Sequence, residues 1–261
     1  MRGRHEPVHA PGGHSRRSAS RVIRAFIFDL DGTLVETELL KAKAYAAVSG
    51  DLLGMDGPDE RAIDVYRGIV GATDETAARA MVDGLGLTDA LGDATEEPWL
   101  ALSWLQMERY RSEFATGDGL RSVAYPHALD LLRIQAASGT SVAVATSSHT
   151  DAAARVTEEL GIRALLDALV GRDQVTNGKP YPEIYLKTAD ILGVTPDEVV
   201  VVEDSATGLE AAVRAGMRCI AIASVFSSEG LRAQTLLRQD WCVYDPETLK
   251  AVVERHLSEA R

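Results

Sequence analysis

The sequence predicts an α/β protein: a parallel sheet core with helices on both faces and an all-helical unit inserted after the first strand. Three observations carry this. Short apolar runs rich in β-branched residues recur at residues 22–28, 141–145, 168–171, 199–202 and 219–223, each of strand length and ended by polar residues or glycine. Helical patterns of about a dozen residues separate the later runs, and that alternation builds βαβ units and a parallel sheet. Residues 37–117 instead hold helical patterns and no strand-like run.

Taken in order, residues 22–28 read as a buried strand that opens into a loop at Gly32. The insert at 37–117 is too long for an ordinary crossover, so it is expected beyond the carboxyl end of that strand, where open α/β sheets bind their ligands. In its last helix Leu100, Trp104, Met107, Tyr110 and Phe114 are spaced by four, three, three and four, a stripe that reads as the face packed into the core. After the second strand, Ala152, Val156 and Leu160 mark a helix that stops at Gly161. Tyr185, Ala189 and Leu192 mark another that stops at Gly193, and Leu209, Ala212 and Val213 a third that stops at Gly216.

Charge and cysteine usage exclude several classes. The chain holds 27 basic against 39 acidic residues, a net charge of -12, which repels nucleic acid and anionic membranes. No apolar run approaches the length of a transmembrane helix. Two cysteines, Cys219 and Cys242, make no disulfide framework and suit a reducing compartment; a cytoplasmic monomer is expected. Residues 1–21 differ from the rest, with five arginines against Glu6, so that they carry +4 and the remainder -16. They lack an apolar stretch, which argues against a secretory signal and predicts a disordered tail, although transit peptides share this composition.

The first strand runs into Asp29-Leu30-Asp31-Gly32-Thr33. An aspartate at a strand end ordinarily caps the next helix, but capping does not call for a second one two residues later. Residues 199–202 lead into Glu203-Asp204-Ser205, which alone reads as a solvated loop. If the strand ends share one edge of the sheet, Asp29, Asp31, Glu203 and Asp204 converge, and two carboxylates 4 Å apart repel by about 4 kcal/mol at an effective dielectric near 20. A cation resolves that conflict, and hard oxygen ligands favour Mg²⁺. Thr146-Ser147-Ser148 closes the 141–145 strand just before a helix, where hydroxyls and free N–H groups suit an anion as well as an ordinary cap. Lys179, in Gly178-Lys179-Pro180-Tyr181-Pro182, is a mobile charge on a loop stiffened by two prolines.

In this order the four motifs resemble the haloacid dehalogenase superfamily, and more narrowly its β-phosphoglucomutase-like subfamily with a helical cap, over residues 22 to about 245. The intervals are 117 residues from Asp29 to Thr146, 33 to Lys179 and 25 to Asp204. The resemblance implies a Rossmann-like core made of residues 22–36 and 118–261, with residues 37–117 as the cap. It implies that Asp29 is the nucleophile that takes the phosphoryl group and that Asp31 is the acid and then the base. Thr146 and Lys179 would hold the phosphoryl oxygens. Asp29, Asp31 through its backbone carbonyl, Asp204 and its supporting neighbour Glu203 would form the Mg²⁺ site. Ser147, His149, Lys41 and Thr73 are candidates for substrate binding, each with a plain reading as a cap or a solvated group. Lys41 stands about where the subfamily's mutases carry a histidine, and Asp74 about where they carry an arginine.

The expected activity is Mg²⁺-dependent hydrolysis of a small phosphorylated, sugar-phosphate-like metabolite through an aspartyl phosphate. A phosphosugar mutase of the β-phosphoglucomutase type is the enzyme alternative, and a metabolite-binding module on the same fold is the non-enzyme one. Asp31 argues against a dehalogenase, whose kind resembles this chain in the nucleophile but lacks the second acid and the metal.

Overall fold

A computed structural model describes residues 22–70, 73–92 and 97–259; the expectation of a disordered tail at 1–21 lies outside them. Strand β1 (Ala25–Phe28) is followed by helices α1 (Thr37–Leu52), α2 (Arg61–Arg67), α3 (Asp74–Leu85), α4 (Thr88–Leu91) and α5 (Pro98–Arg109), the last continuing into a π-helical turn at Tyr110–Phe114. Then come α6 (Gly117–Ser122), α7 (Pro126–Ala137), β2 (Ser141–Ala145), α8 (Thr150–Glu159), β3 (Ala168–Val170), α9 (Glu183–Leu192) and β4 (Val199–Glu203). The chain ends with α10 (Ala206–Arg214), β5 (Arg218–Ile222), α11 (Ser228–Ala233), β6 (Cys242–Val243) and α12 (Leu249–Glu259).

All six strands are parallel, in the order β3-β2-β1-β4-β5-β6. Strand alternation divides the core into two layers. Phe26, Phe28, Val142, Val144, Val200 and Val202 face α7, α8 and α12, whereas Ala25, Ile27, Ala143, Val199 and Val201 face α9 and α10. Cys219 and Cys242 are buried and free. Gly161, Gly193 and Gly216, where the three helical patterns were expected to stop, all have positive φ, the left-handed geometry that ends a helix without a Cβ penalty. Strand β6 escapes the sequence because two residues at a sheet edge carry no readable period.

The inserted helices form a cluster of their own, in which Tyr45, Tyr66, Met81, Leu85 and Leu102 are buried. Here the expected stripe holds only at its end: Tyr110 and Phe114 pack against the core, but its first members on α5 do not. Trp104 is 70% exposed and Leu100 45%, while Leu102 and Gln106 are buried. The side turned inward carries Leu102 and Trp99, which pack with the other inserted helices, and Gln106, whose amide donates to the Lys41 carbonyl of α1 at 3.4 Å, so a polar residue takes a core position the apolar pattern did not assign to it.

Candidate active site

Register decides which residues meet. Phe28 pairs level with Val144 of β2 and Val202 of β4, so the residues after these positions leave the sheet at one edge. The order reverses at β1, whose neighbours β2 and β4 carry the chain away in opposite directions, and such a switch point opens a crevice at the carboxyl ends. Asp29, Thr146, Glu203 and Asp204 all stand there.

Lys179 comes in from the loop before α9 and donates to Asp29 Oδ1 at 2.6 Å, to Glu203 Oε1 at 2.7 Å and to the Ala145 carbonyl at 3.3 Å. Its side chain is 4% exposed. Burial alone would lower its pKa, but the facing Asp29 and Glu203 carboxylates raise it well above the usual lysine value. Glu203 is spoken for on both oxygens: Tyr185 donates to Oε1 at 3.1 Å, and the Ser205 amide and hydroxyl donate to Oε2 at 2.7 and 3.0 Å. Ser205 in turn caps α10 by accepting from the Gly208 amide at 3.1 Å.

Asp29, Glu203 and Asp204 form a buried cluster in which one oxygen of each lies within 4.8 Å of the others. Burial pushes the Asp29 carboxyl up to about 7, with Lys179 opposing and Glu203 and Asp31 adding to the rise. Burial, then Glu203 and Asp29, raise Asp204 well above the carboxylate range, against a hydrogen bond from Ser224. Three dry, mutually repelling carboxylates with one lysine among them are a donor set that fits a hard divalent cation. The fourth expected member, Asp31, turns its side chain elsewhere. Thr146 donates to its Oδ2 at 3.1 Å, Ser148 to the same oxygen at 2.7 Å, and the Thr37 hydroxyl to Oδ1.

Two glycines allow this crowding. Gly32 has φ +86°, and a Cβ there would lie 2.2 Å from Asp204 Oδ2. At Gly208 a Cβ would lie 1.6 Å from Glu203 Oε1. Gly208→Ala is therefore expected to drive Glu203 off Lys179, costing roughly 1–3 kcal/mol as an overpacked site; urea unfolding measures this, and a midpoint equal to that of the unaltered protein would contradict the packing.

Above the carboxylates lies a cleft of about 560 Å³ whose floor includes Asp29, Asp31, Lys179 and Asp204, and whose far wall includes Glu38 and Arg67. Of the four expected substrate contacts, Ser147 lines this cleft. The other three lie off its lining. His149 is exposed at the start of α8. Thr73 is exposed and accepts the Thr76 amide at 3.2 Å as the cap of α3. Lys41 lines a neighbouring pocket of about 100 Å³ together with Asp74, Tyr45 and Tyr66, and its ammonium donates to Glu38 at 2.6 Å. Burial lowers its pKa, but Glu38 and Asp31 leave it raised overall. Sequence reasoning missed Ser148, Tyr185, Ser224, Glu36 and Glu38. Only Ser148 had a signal, as part of the hydroxyl triplet.

Comparison with known proteins places this geometry in context. A family model described as "Hydrolase: haloacid dehalogenase-like hydrolase" matches residues 23–216. A phosphorylated carbohydrates phosphatase of Thermotoga maritima is 32% identical over 198 residues, covering 76% of this chain and 84% of that protein. A phosphoglycolate phosphatase of Salmonella typhimurium is 34% identical over 206 residues, covering 74% and 79%. Among solved structures, CbbY of Rhodobacter sphaeroides in complex with phosphate superposes with a TM-score of 0.61 at 27% identity, covering 89% of this chain and 99% of that one.

Proposed function

This chain belongs to the haloacid dehalogenase-like hydrolases, and from that premise we propose that it is a Mg²⁺-dependent phosphatase that releases phosphate from a small phosphorylated carbohydrate. One observation carries the reading: Asp29 is held on one oxygen by Lys179 at 2.6 Å, beside Asp204, on the floor of the cleft. Residues 22–36 and 118–261 are the catalytic core in this proposal, and 37–117 are the cap.

Asp29 attacks the phosphorus with the oxygen that Lys179 leaves open, the P–O bond to the leaving group breaks, and Asp31 gives the departing oxygen its proton. Asp31 then takes a proton from water as the water oxygen attacks phosphorus and the bond to Asp29 breaks. Lys179 holds the phosphoryl oxygens, joined by Thr146 once its hydroxyl turns from Asp31, and positioning and charge neutralisation supply most of the catalysis. Asp29, Asp204 and the backbone carbonyl of Asp31 are the proposed Mg²⁺ ligands, with Glu203 as their support. When bound, the cation would neutralise the carboxylates and the phosphoryl charge.

The cleft also speaks to the substrate. Asp74 lines the neighbouring pocket, so the charges on the far wall of the cleft are Glu38, which Lys41 pairs at 2.6 Å, and Arg67, which Asp64 pairs at 3.1 Å. With both of those charges already paired, neutral hydroxyls fit this wall better than a second phosphate or a carboxylate, which would need a free cation there. The test is phosphate release, with Mg²⁺ and with EDTA, from sugar phosphates, phosphoglycolate and β-glucose 1-phosphate primed with glucose 1,6-bisphosphate. Sugar phosphates are expected to be hydrolysed faster than phosphoglycolate, with no turnover in EDTA. Glucose 6-phosphate appearing faster than inorganic phosphate would instead make the protein a mutase.

No helix among the described residues is long and apolar enough to cross a membrane. The net charge of -12 disfavours nucleic acid as a partner, and two buried free cysteines suit the cytoplasm.

A further inference from the structure

Two passages of chain join the sheet to the inserted helices, and they meet at one place. The Glu36 amide donates to the Val123 carbonyl and the Tyr125 amide to the Leu34 carbonyl, each at 2.9 Å, and Val35 bridges antiparallel to Ala124. The side chains repeat the junction. Tyr125 donates its hydroxyl to Glu36 Oε2 at 2.5 Å, and the Val225 amide, from the loop after β5, donates to the Tyr125 oxygen at 3.4 Å. Glu36 is 3% exposed and makes no side-chain cap to α1, which it immediately precedes. Neither helix capping nor core packing therefore accounts for a buried carboxylate here.

The loop that supplies Val225 reaches in two further directions. Ser224 lines the cleft together with Asp204, and the Phe226 ring stands edge-on to Tyr66 of α2, with centroids 6.4 Å apart at 72°. Tyr66 donates to Glu38 on the cleft wall at 2.5 Å. A set of contacts thus runs from the junction, through the loop after β5 that lines the cleft, to the inserted helices.

We propose that Glu36 and Tyr125 are positioning residues: their hydrogen bond, seated on Val225, locks the two passages together and sets how α1–α5 stand over Asp29. Removing the phenol leaves the carboxylate without its partner where water reaches poorly, and the pair of passages loosens. Substrates long enough to touch the inserted helices then bind less well, whereas a monoester too small to reach them is unaffected.

The full-length Tyr125→Phe protein tests this in two ways. In hydrogen exchange, the Glu36 and Tyr125 amides are expected to exchange about tenfold faster or more, with β1 and β4 amides unchanged. In kinetics, KM for a sugar phosphate is expected to rise about fivefold with little change in kcat, while methyl phosphate hydrolysis keeps its rate. Glu36→Gln keeps an acceptor for the phenol and should exchange like the unaltered protein, whereas Glu36→Ala should behave as Tyr125→Phe does. If Tyr125→Phe does not fold, the two Glu36 variants carry the same comparison.

Unchanged exchange at those amides in folded Tyr125→Phe overturns the lock, and so does an equal loss on both phosphates. The kinetic arm rests on the phosphatase reading and the exchange arm does not. A protein that hydrolyses no monoester but shows the accelerated exchange would refute the phosphatase and keep the lock.

Discussion

Replacing Asp29 by asparagine is expected to lower phosphate release by about four orders of magnitude or more while the fold survives. Asparagine keeps the shape but removes the attacking oxygen and one negative charge from the cluster with Glu203 and Asp204. The same substitution has a signature in stability. In the metal-free protein Asp29 is pushed up to about 7 by burial, against about 3.9 in an unfolded chain. The fold therefore holds the proton more tightly, and the stability this contributes is fully present below about pH 4 and is lost as pH rises through 7. Urea midpoints followed from pH 5 to 8 should fall less steeply in Asp29→Asn than in the unaltered protein. Near-normal turnover by a folded Asp29→Asn protein would end the proposed mechanism.

Lys179→Met should be the most destabilising of the substitutions considered. The ammonium sits 2.6 Å from Asp29 and 2.7 Å from Glu203 with 4% of the side chain exposed, so its removal leaves buried carboxylates facing one another. Breaking a buried pair from one side costs about 3–5 kcal/mol, and loss of a cation that holds the phosphoryl oxygens lowers kcat by roughly 10²–10³. The cost should shrink at pH 5, where Asp29 and Asp204, both raised by burial, take up protons and need no counter-charge. It should shrink likewise on adding Mg²⁺. Denaturation of the metal-free variant at pH 8 and pH 5 measures this, and a variant as stable as the unaltered protein at pH 8 would show that Lys179 does not hold the cluster together.

The chemistry at the sheet edge was legible because parallel strands leave little choice. Once residues 22–28, 141–145 and 199–202 are read as neighbouring strands, the residues just beyond them must emerge together, and Asp29, Thr146, Glu203 and Asp204 do. Lys179 was legible only through the resemblance, since nothing in a proline-bounded loop says which way its lysine points. Asp31 shows where strand-end reasoning stops: it follows the same strand as Asp29, yet three hydroxyls from α1 and the loop after β2 draw its side chain out of the acidic cluster.

Local order along the chain, the strands, the helix stops at Gly161, Gly193 and Gly216, and the edge at which the carboxylates gather were therefore settled by short-range pattern and by the geometry of a parallel sheet. Tertiary packing alone decided the rotation of each inserted helix and the partners of each buried polar group. On α5 an apolar stripe was present, but Gln106 went inward and Trp104 outward, because the face that carries Leu102 and Trp99 is the one that packs with the other inserted helices. Glu36 and Tyr125 stand 89 residues apart and meet at 2.5 Å. A period in the sequence records which residues share a face, whereas a buried hydrogen bond depends on where two distant elements end up, and no local pattern of apolar and polar residues carries that information.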